Sequence, residues 1–183
     1  MQRRPTVEAW FGPAFALLHP QLQALHRGGR TLRGPVQLSF GSGLAGNVGK
    51  RLARRLGIPG AAGSAMLEVT IRSDHDGLHW SRRFDHGAAF NSVFQPVGSY
   101  PSGYWLERSS HIALRLGVAL RDGGWHWQQR RLALCGIPVP RWLMPTTIAS
   151  KTVIDGKYVF SVDIRFPLLG SVLAYRGGLD LCP

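Results

Sequence analysis

Ile112-Ala113-Leu114-Arg115-Leu116-Gly117-Val118-Ala119-Leu120-Arg121-Asp122-Gly123-Gly124-Trp125-His126-Trp127 is the stretch whose reading decides the fold. Ile112, Leu114, Leu116, Val118 and Leu120 recur at every second position, the period of a strand with one buried face. Asp122-Gly123 follows. Asp-Gly between two alternating runs signals a tight hairpin, because both central residues of the favoured turn need positive φ. The spacing predicts a hairpin of 111–121 with 125–134.

The same punctuation recurs on both sides. Asp76-Gly77 predicts a hairpin of 66–75 with 78–85. Asp155-Gly156 predicts one of 147–154 with 157–166, where Tyr158, Phe160, Val162, Ile164 and Phe166 alternate. Further strands are expected at 36–40, 90–95, 103–108 and 168–176, and Pro138, Pro140 and Pro145 mark one long connection outside the sheet. Ahead of these, 10–26 reads as a helix interrupted or restarted at Pro20. A second helix is expected over 43–57, with Leu44, Val48, Leu52 and Leu56 one turn apart on one face. The expected fold is mainly β (α+β). It is an antiparallel meander of about nine strands over 65–178, curled into a barrel or half-barrel. Two N-terminal helices lie within 8–57, and residues 1–183 are read as one domain. A barrel of this kind holds either packed side chains or one small ligand.

Composition narrows the function classes. The 183 residues are 44% hydrophobic and 17% charged, too apolar for a disordered chain. No uninterrupted apolar run of about 18 residues suggests a membrane span, and no signal peptide is read at the start. Two cysteines, Cys135 and Cys182, point to free thiols in a reducing cytoplasm rather than to a disulfide framework. Lys and Arg total 22 against 10 Asp and Glu, a net charge of +12, and only Lys50, Lys151 and Lys157 are lysines. Such a surface attracts polyanions weakly. No nucleic-acid recognition motif accompanies it, so specific nucleic-acid binding is not expected.

Several motifs have a bland and a sharp reading. Gly41-Ser42-Gly43-Leu44-Ala45-Gly46 matches the dinucleotide fingerprint, but antiparallel hairpins follow where a parallel βαβ unit is required. A glycine-rich turn is therefore expected and no cofactor. His75, His79 and His86 lie near Asp74, Asp76 and Asp85, yet no metal-ligand spacing is present and no metal is assigned. No nucleophile elbow or paired-carboxylate constellation supports self-contained catalysis. Lys50, Arg51, Arg54 and Arg55 make the second helix basic and amphipathic, either a solvated face or a surface for anionic membrane.

Trp80-Ser81-Arg82-Arg83-Phe84 is the most informative segment. Strand alternation places Trp80, Arg82 and Phe84 on one face and Arg83 on the other. Trp125, Trp127, Gln129 and Arg131 show the same mixture in the next hairpin. An arginine on an apolar face must be paired. Glu107 and Asp163 are the internal candidates, and a bound carboxylate or phosphate is the external one.

These segments, in this order, resemble a bacterial family known as domain of unknown function 4166. The resemblance starts at Leu18-His19-Pro20-Gln21-Leu22 and includes Leu56-Gly57-Ile58-Pro59, the Trp80–Phe84 segment, Phe90-Asn91-Ser92 and Leu106-Glu107-Arg108. It continues through Gly136-Ile137-Pro138-Val139-Pro140, Asp155-Gly156-Lys157-Tyr158 and Tyr175-Arg176-Gly177. Two departures stand out: Ser109-Ser110 replaces an expected Gly-Pro, and Ser150 stands where an acid is usual. If that acid pairs an inward arginine in relatives, the pairing is absent here. The family implies no activity. Similar domains appended to dehydrogenase-like or membrane-spanning proteins imply an accessory or binding module.

The leading expectation is a cytoplasmic domain that binds an apolar or amphipathic anionic small molecule without covalent chemistry. Arg82, Trp80, Phe84, Glu107, Trp125, Trp127 and Arg131 are its candidate ligand residues. The alternative is a basic adaptor docking on membrane phospholipid or an acidic partner through Lys50, Arg51, Arg54 and Arg55. An enzyme acting on a lipid-like substrate is third.

Overall fold

The computed structural model describes residues 6–85, 87–109 and 112–182, without the side chain of Ser109. Helix α1 (Thr6–Phe11), a 3-10 turn (Gly12–Leu17) and α2 (Pro20–Gly28) precede β1 (Arg30–Phe40), and α3 (Gly43–Arg55) follows it. Ten further strands complete the chain: β2 (Gly63–Ser73), β3 (Leu78–Phe84), β4 (Phe90–Val97), β5 (Tyr104–Ser109), β6 (Ile112–Arg121), β7 (Gly124–Leu134), β8 (Ile137–Pro138), β9 (Thr146–Ile154), β10 (Lys157–Phe166) and β11 (Gly170–Leu181). All but the short β8 form a closed antiparallel barrel of ten strands. Strands β1 to β7 and then β9 to β11 follow one another around it, and β11 returns to pair with β1. Closure pairs every edge within the sheet.

Two of the three expected hairpin turns are tight. Asp122 and Gly123 have φ of 49° and 71°, and Asp155 and Gly156 have 49° and 75°. The third is a four-residue loop. Asp74 bonds backbone to backbone with Gly77, and its carboxylate accepts from the amides of Asp76 and Gly77, so the side chain shapes the turn. A further tight turn, Cys135-Gly136 with φ of 50° and 80°, creates β8 inside what the sequence reads as an open connection.

The first strand is longer than expected, eleven residues rather than 36–40. Pro35 is tolerated inside it, and Gly34 and Gly177 explain the close pairing with β11. A Cβ on Gly34 would stand 2.4 Å from the Gly178 carbonyl oxygen, and one on Gly177 2.4 Å from that of Pro35. No parallel pair follows Gly41, which disposes of the dinucleotide fold among the described residues.

Helix α3 corrects the sequence reading. Its buried residues are Ala45, Gly46, Gly49 and Ala53, whereas Val48 and Leu52 are half-buried and Leu44 is 67% exposed. The helix docks through its small residues. A Cβ on Gly49 would lie 1.9 Å from the Val172 carbonyl oxygen, so only glycine lets the backbones approach this closely.

The two barrel ends differ. At one end, α1, the 3-10 turn and α2 form a plug. Phe11 meets Trp125 edge-on at 4.9 Å, Trp10 lies 5.2 Å from Trp105, and Leu18, Leu22 and Leu25 are buried beside them. At the other end, α3 leaves β1, and Leu56 just beyond it reaches the barrel interior. No described helix is long and apolar enough to cross a membrane.

Candidate functional site

Inward-facing residues of β2 to β6, β7 and β9 to β11 leave a cavity of about 220 Å³ between the plug and the opposite end. Trp80, Phe94 and Trp127 form one aromatic wall. Phe94 stacks on Trp127 at 5.4 Å, and Trp80 meets both rings edge-on. Leu67, Val69, Leu116, Phe160 and Tyr175 line the rest of the middle, and Phe90, Ile112, Thr147 and Ile164 lie toward the end away from the plug. Scaling from the ~150 Å³ that accommodates benzene, this space suits roughly nine non-hydrogen atoms.

Alternation places Arg82 as expected. It lies in the cavity wall between β2 and β4, half-buried, with its guanidinium 4.7 Å from the Phe90 ring centre and 5.9 Å from that of Trp80. Its Nη2 donates to Ser92 Oγ, and its buried Nε has no acceptor among the described residues. Neither expected carboxylate holds it. Asp163 pairs with Arg165 at 2.9 Å and accepts from Ser171. Glu107 lines the cavity and, among the described residues, forms no ion pair. Arg83 points outward to Glu68 at 3.5 Å. Ser150 stands in register with His126 and Ser161, out of phase with the inward series of Thr147, Ala149 and Lys151, yet it borders the cavity as they do; among the described residues no hydrogen bond links it to Arg82.

Other candidates are distributed differently. Trp80 and Trp127 join Arg82 and Glu107 in the cavity wall, while Phe84 is buried against Tyr175 outside it. Trp125 is fully buried below the floor. Arg131 is exposed. The register between β6 and β7 shifts at Arg115/Leu116, placing Leu116 opposite Gln129 but Arg115 opposite Arg131. The extra residue is a β-bulge, which reverses the alternation and turns Arg131 away from the interior. On α3, Lys50, Arg51, Arg54 and Arg55 are all exposed and form no ion pair among the described residues.

The sequence reading missed Lys151. Its inward position follows from the alternation of β9, yet a lysine in a strand ordinarily reads as solvated. Here it is 1% exposed and forms part of the cavity wall. Its Nζ lies 2.8 Å from Nε2 of His26, a buried residue of α2, and over the rings of Trp125 at 3.7 Å and Trp80 at 4.7 Å. Burial pushes the Lys151 ammonium well below the usual lysine range. Burial, with the neighbouring lysine, pushes His26 down as well. A desolvated cation–π contact contributes ~2 kcal/mol or somewhat more, whereas taking an ammonium out of water costs several kcal/mol after relaxation. Desolvation wins, and the neutral amine is favoured. Tyr158, buried in the same wall, has its phenol pushed up by burial.

The cavity thus combines an apolar body, one guanidinium without a carboxylate, one isolated carboxylate and one desolvated amine. No curated protein and no solved structure shows significant similarity to the chain. The family model for a domain of unknown function, DUF4166, matches residues 18–179, which span α2, β1 to β10, all but the last two residues of β11 and every cavity residue named above, and the chain belongs to that family.

Proposed function

We propose that this domain binds a small amphipathic anion inside its barrel, with the apolar part against Trp80, Phe94 and Trp127 and the anionic head on Arg82. The single observation that carries this reading is the Arg82 guanidinium, set in an apolar cavity wall with no ion pair to a carboxylate among the described residues. Glu107 in the same wall favours a monoanion over a dianion. The cavity volume favours a medium-length chain over a whole phospholipid. Both cysteines are free, which supports the cytoplasmic placement.

Octanoate is a suitable probe. Arg82→Met is expected to weaken its binding by roughly 10- to 150-fold, the equivalent of ~1.5–3 kcal/mol for a charged hydrogen bond. The empty protein should lose no more than the ~1–3 kcal/mol of leaving the buried Ser92 hydroxyl without its donor, because no buried acid is left behind. Titration calorimetry measures the first and urea unfolding the second. Unchanged octanoate affinity would remove Arg82 from the reading.

A second reading concerns the end of the barrel at which α3 emerges. The exposed basic face of α3 and the exposed side chains Ile137, Trp142 (73%) and Leu143 give it the cationic and apolar groups that an anionic bilayer surface attracts. Reversing Arg51 and Arg54 to Glu is expected to lower association with phosphatidylserine-containing vesicles by roughly 30-fold or more, at ~1 kcal/mol per basic residue lost. Co-sedimentation that is equally strong with neutral phosphatidylcholine would rule this reading out.

A further inference from the structure

We propose that Lys151 captures an apolar aldehyde within the barrel as an imine. This inference rests on the reading of the cavity as a ligand site and adds covalent chemistry to it. Lys151 belongs to the cavity wall at the plugged end, and its Nζ is held by His26 at 2.8 Å. Among the described residues no carboxylate pairs with it, so no salt bridge keeps the amine protonated. The other lysines are exposed; Lys157 pairs loosely with Asp180 at 3.6 Å, and Lys50 lies on the outer face of α3.

The chemistry balances without a further reactant. The Nζ lone pair adds to the carbonyl carbon, and the π electrons move to the carbonyl oxygen. The proton lost from nitrogen passes to that oxygen, with His26 Nε2 as the adjacent acceptor, and a carbinolamine forms. Loss of water then gives the carbon–nitrogen double bond. The product of that step is the neutral imine; on taking one proton from solvent water it becomes a cation among the faces of Trp80, Trp125 and Trp127, whose ring centres lie 4.7, 3.7 and 5.9 Å from Nζ. Those faces stabilise a bulky, weakly hydrated cation better than a compact ammonium, which loses more hydration on burial. Burial also pushes the amine well below the usual lysine range, which favours the free base that the addition needs.

The charged and titratable groups around this amine are His26 from the plug, Tyr158 from β10, and Arg82 and Glu107 farther along the cavity wall. Burial disfavours the charged forms of His26 and Tyr158, so neither places an anion beside the amine.

The test uses octanal with cyanoborohydride on the full chain. The expected result is a single adduct whose added mass equals the aldehyde less one oxygen, mapped to Lys151 and formed at neutral pH, where an ordinary lysine of pKa ~10.4 is almost wholly protonated. Lys50 and Lys157 should react appreciably only at higher pH. Lys151→Met should abolish the neutral-pH adduct while still binding octanol, which shows that the cavity has folded. Adducts confined to Lys50, Lys157 or the N-terminal amine would overturn the proposal, as would a Lys151 adduct that appears only in alkali. If octanol and octanoate bind but octanal is not trapped, the imine fails and the ligand site survives. If none of the three binds, both fail.

Discussion

Replacing His26 with Leu and Lys151 with Met together is expected to stabilise the protein by ~1–4 kcal/mol at pH 7, the range seen when buried charged groups give way to apolar ones of similar volume. The two side chains are fully enclosed and hydrogen-bonded to each other, and His26 Nδ1 has no partner among the described residues. Lys151→Met alone should gain less, because it leaves His26 Nε2 without its donor, at ~1–3 kcal/mol. The pH dependence supplies the sign. Lys151 holds its proton less tightly in the folded state than in the unfolded chain, where the pKa is ~10.4. The penalty is therefore absent above that pH and grows as pH falls toward the folded value. His26 adds a second penalty as pH falls below ~6.5. Wild-type stability should rise with pH across this window, and the double variant should flatten the profile. Urea midpoints between pH 5 and 9 decide it; an equally steep profile in the double variant would refute this account.

Trp125→Ala should have the opposite and larger effect, a loss of ~3–5 kcal/mol. Trp125 is fully buried and joins three parts of the molecule. It meets Phe11 of the plug at 4.9 Å, Trp127 of its own strand at 4.9 Å, and Lys151 Nζ of β9 at 3.7 Å. Its removal leaves a large void between rigid strands and a plug that cannot collapse far. Trp142→Ala is the control: that ring is largely exposed, and its loss should change stability by no more than ~0.5 kcal/mol. A drop in urea midpoint at unchanged slope for Trp125→Ala, with none for Trp142→Ala, is the expected pattern. Similar small effects from both would mean that the plug is not packed on Trp125.

The two results together would separate roles that the cavity merges. Trp125 acts as structure beneath the floor, and its loss should be felt with or without ligand. Lys151 and His26 weaken the empty protein, which is the pattern of groups retained at a functional site at the expense of stability. Arg82 lies between these cases. It is desolvated enough to leave Nε without an acceptor, yet exposed enough to make the empty state tolerable.

The barrel walls were legible in the sequence because their signals are local. Residues two apart lie on one face of a strand, and an Asp-Gly pair can turn the chain by its own backbone preferences. Thus Ile112 to Leu120, the turns at Asp122 and Asp155, and the inward face of Trp80 and Arg82 needed nothing from the rest of the chain. Tertiary structure decided what local signals do not carry. The bulge between β6 and β7 turned Arg131 outward, although uninterrupted alternation placed it inside. Close docking of Gly46 and Gly49 oriented α3 on its small residues, although its leucines marked another face. Arg82 met no acid, because register set Glu107 opposite Phe94 and Asp163 was held by Arg165. Lys151 found His26 across 125 residues of chain only when the plug closed over the barrel, and desolvation, a property of the assembled interior rather than of any short segment, pushed an ordinary strand lysine well below the usual lysine range.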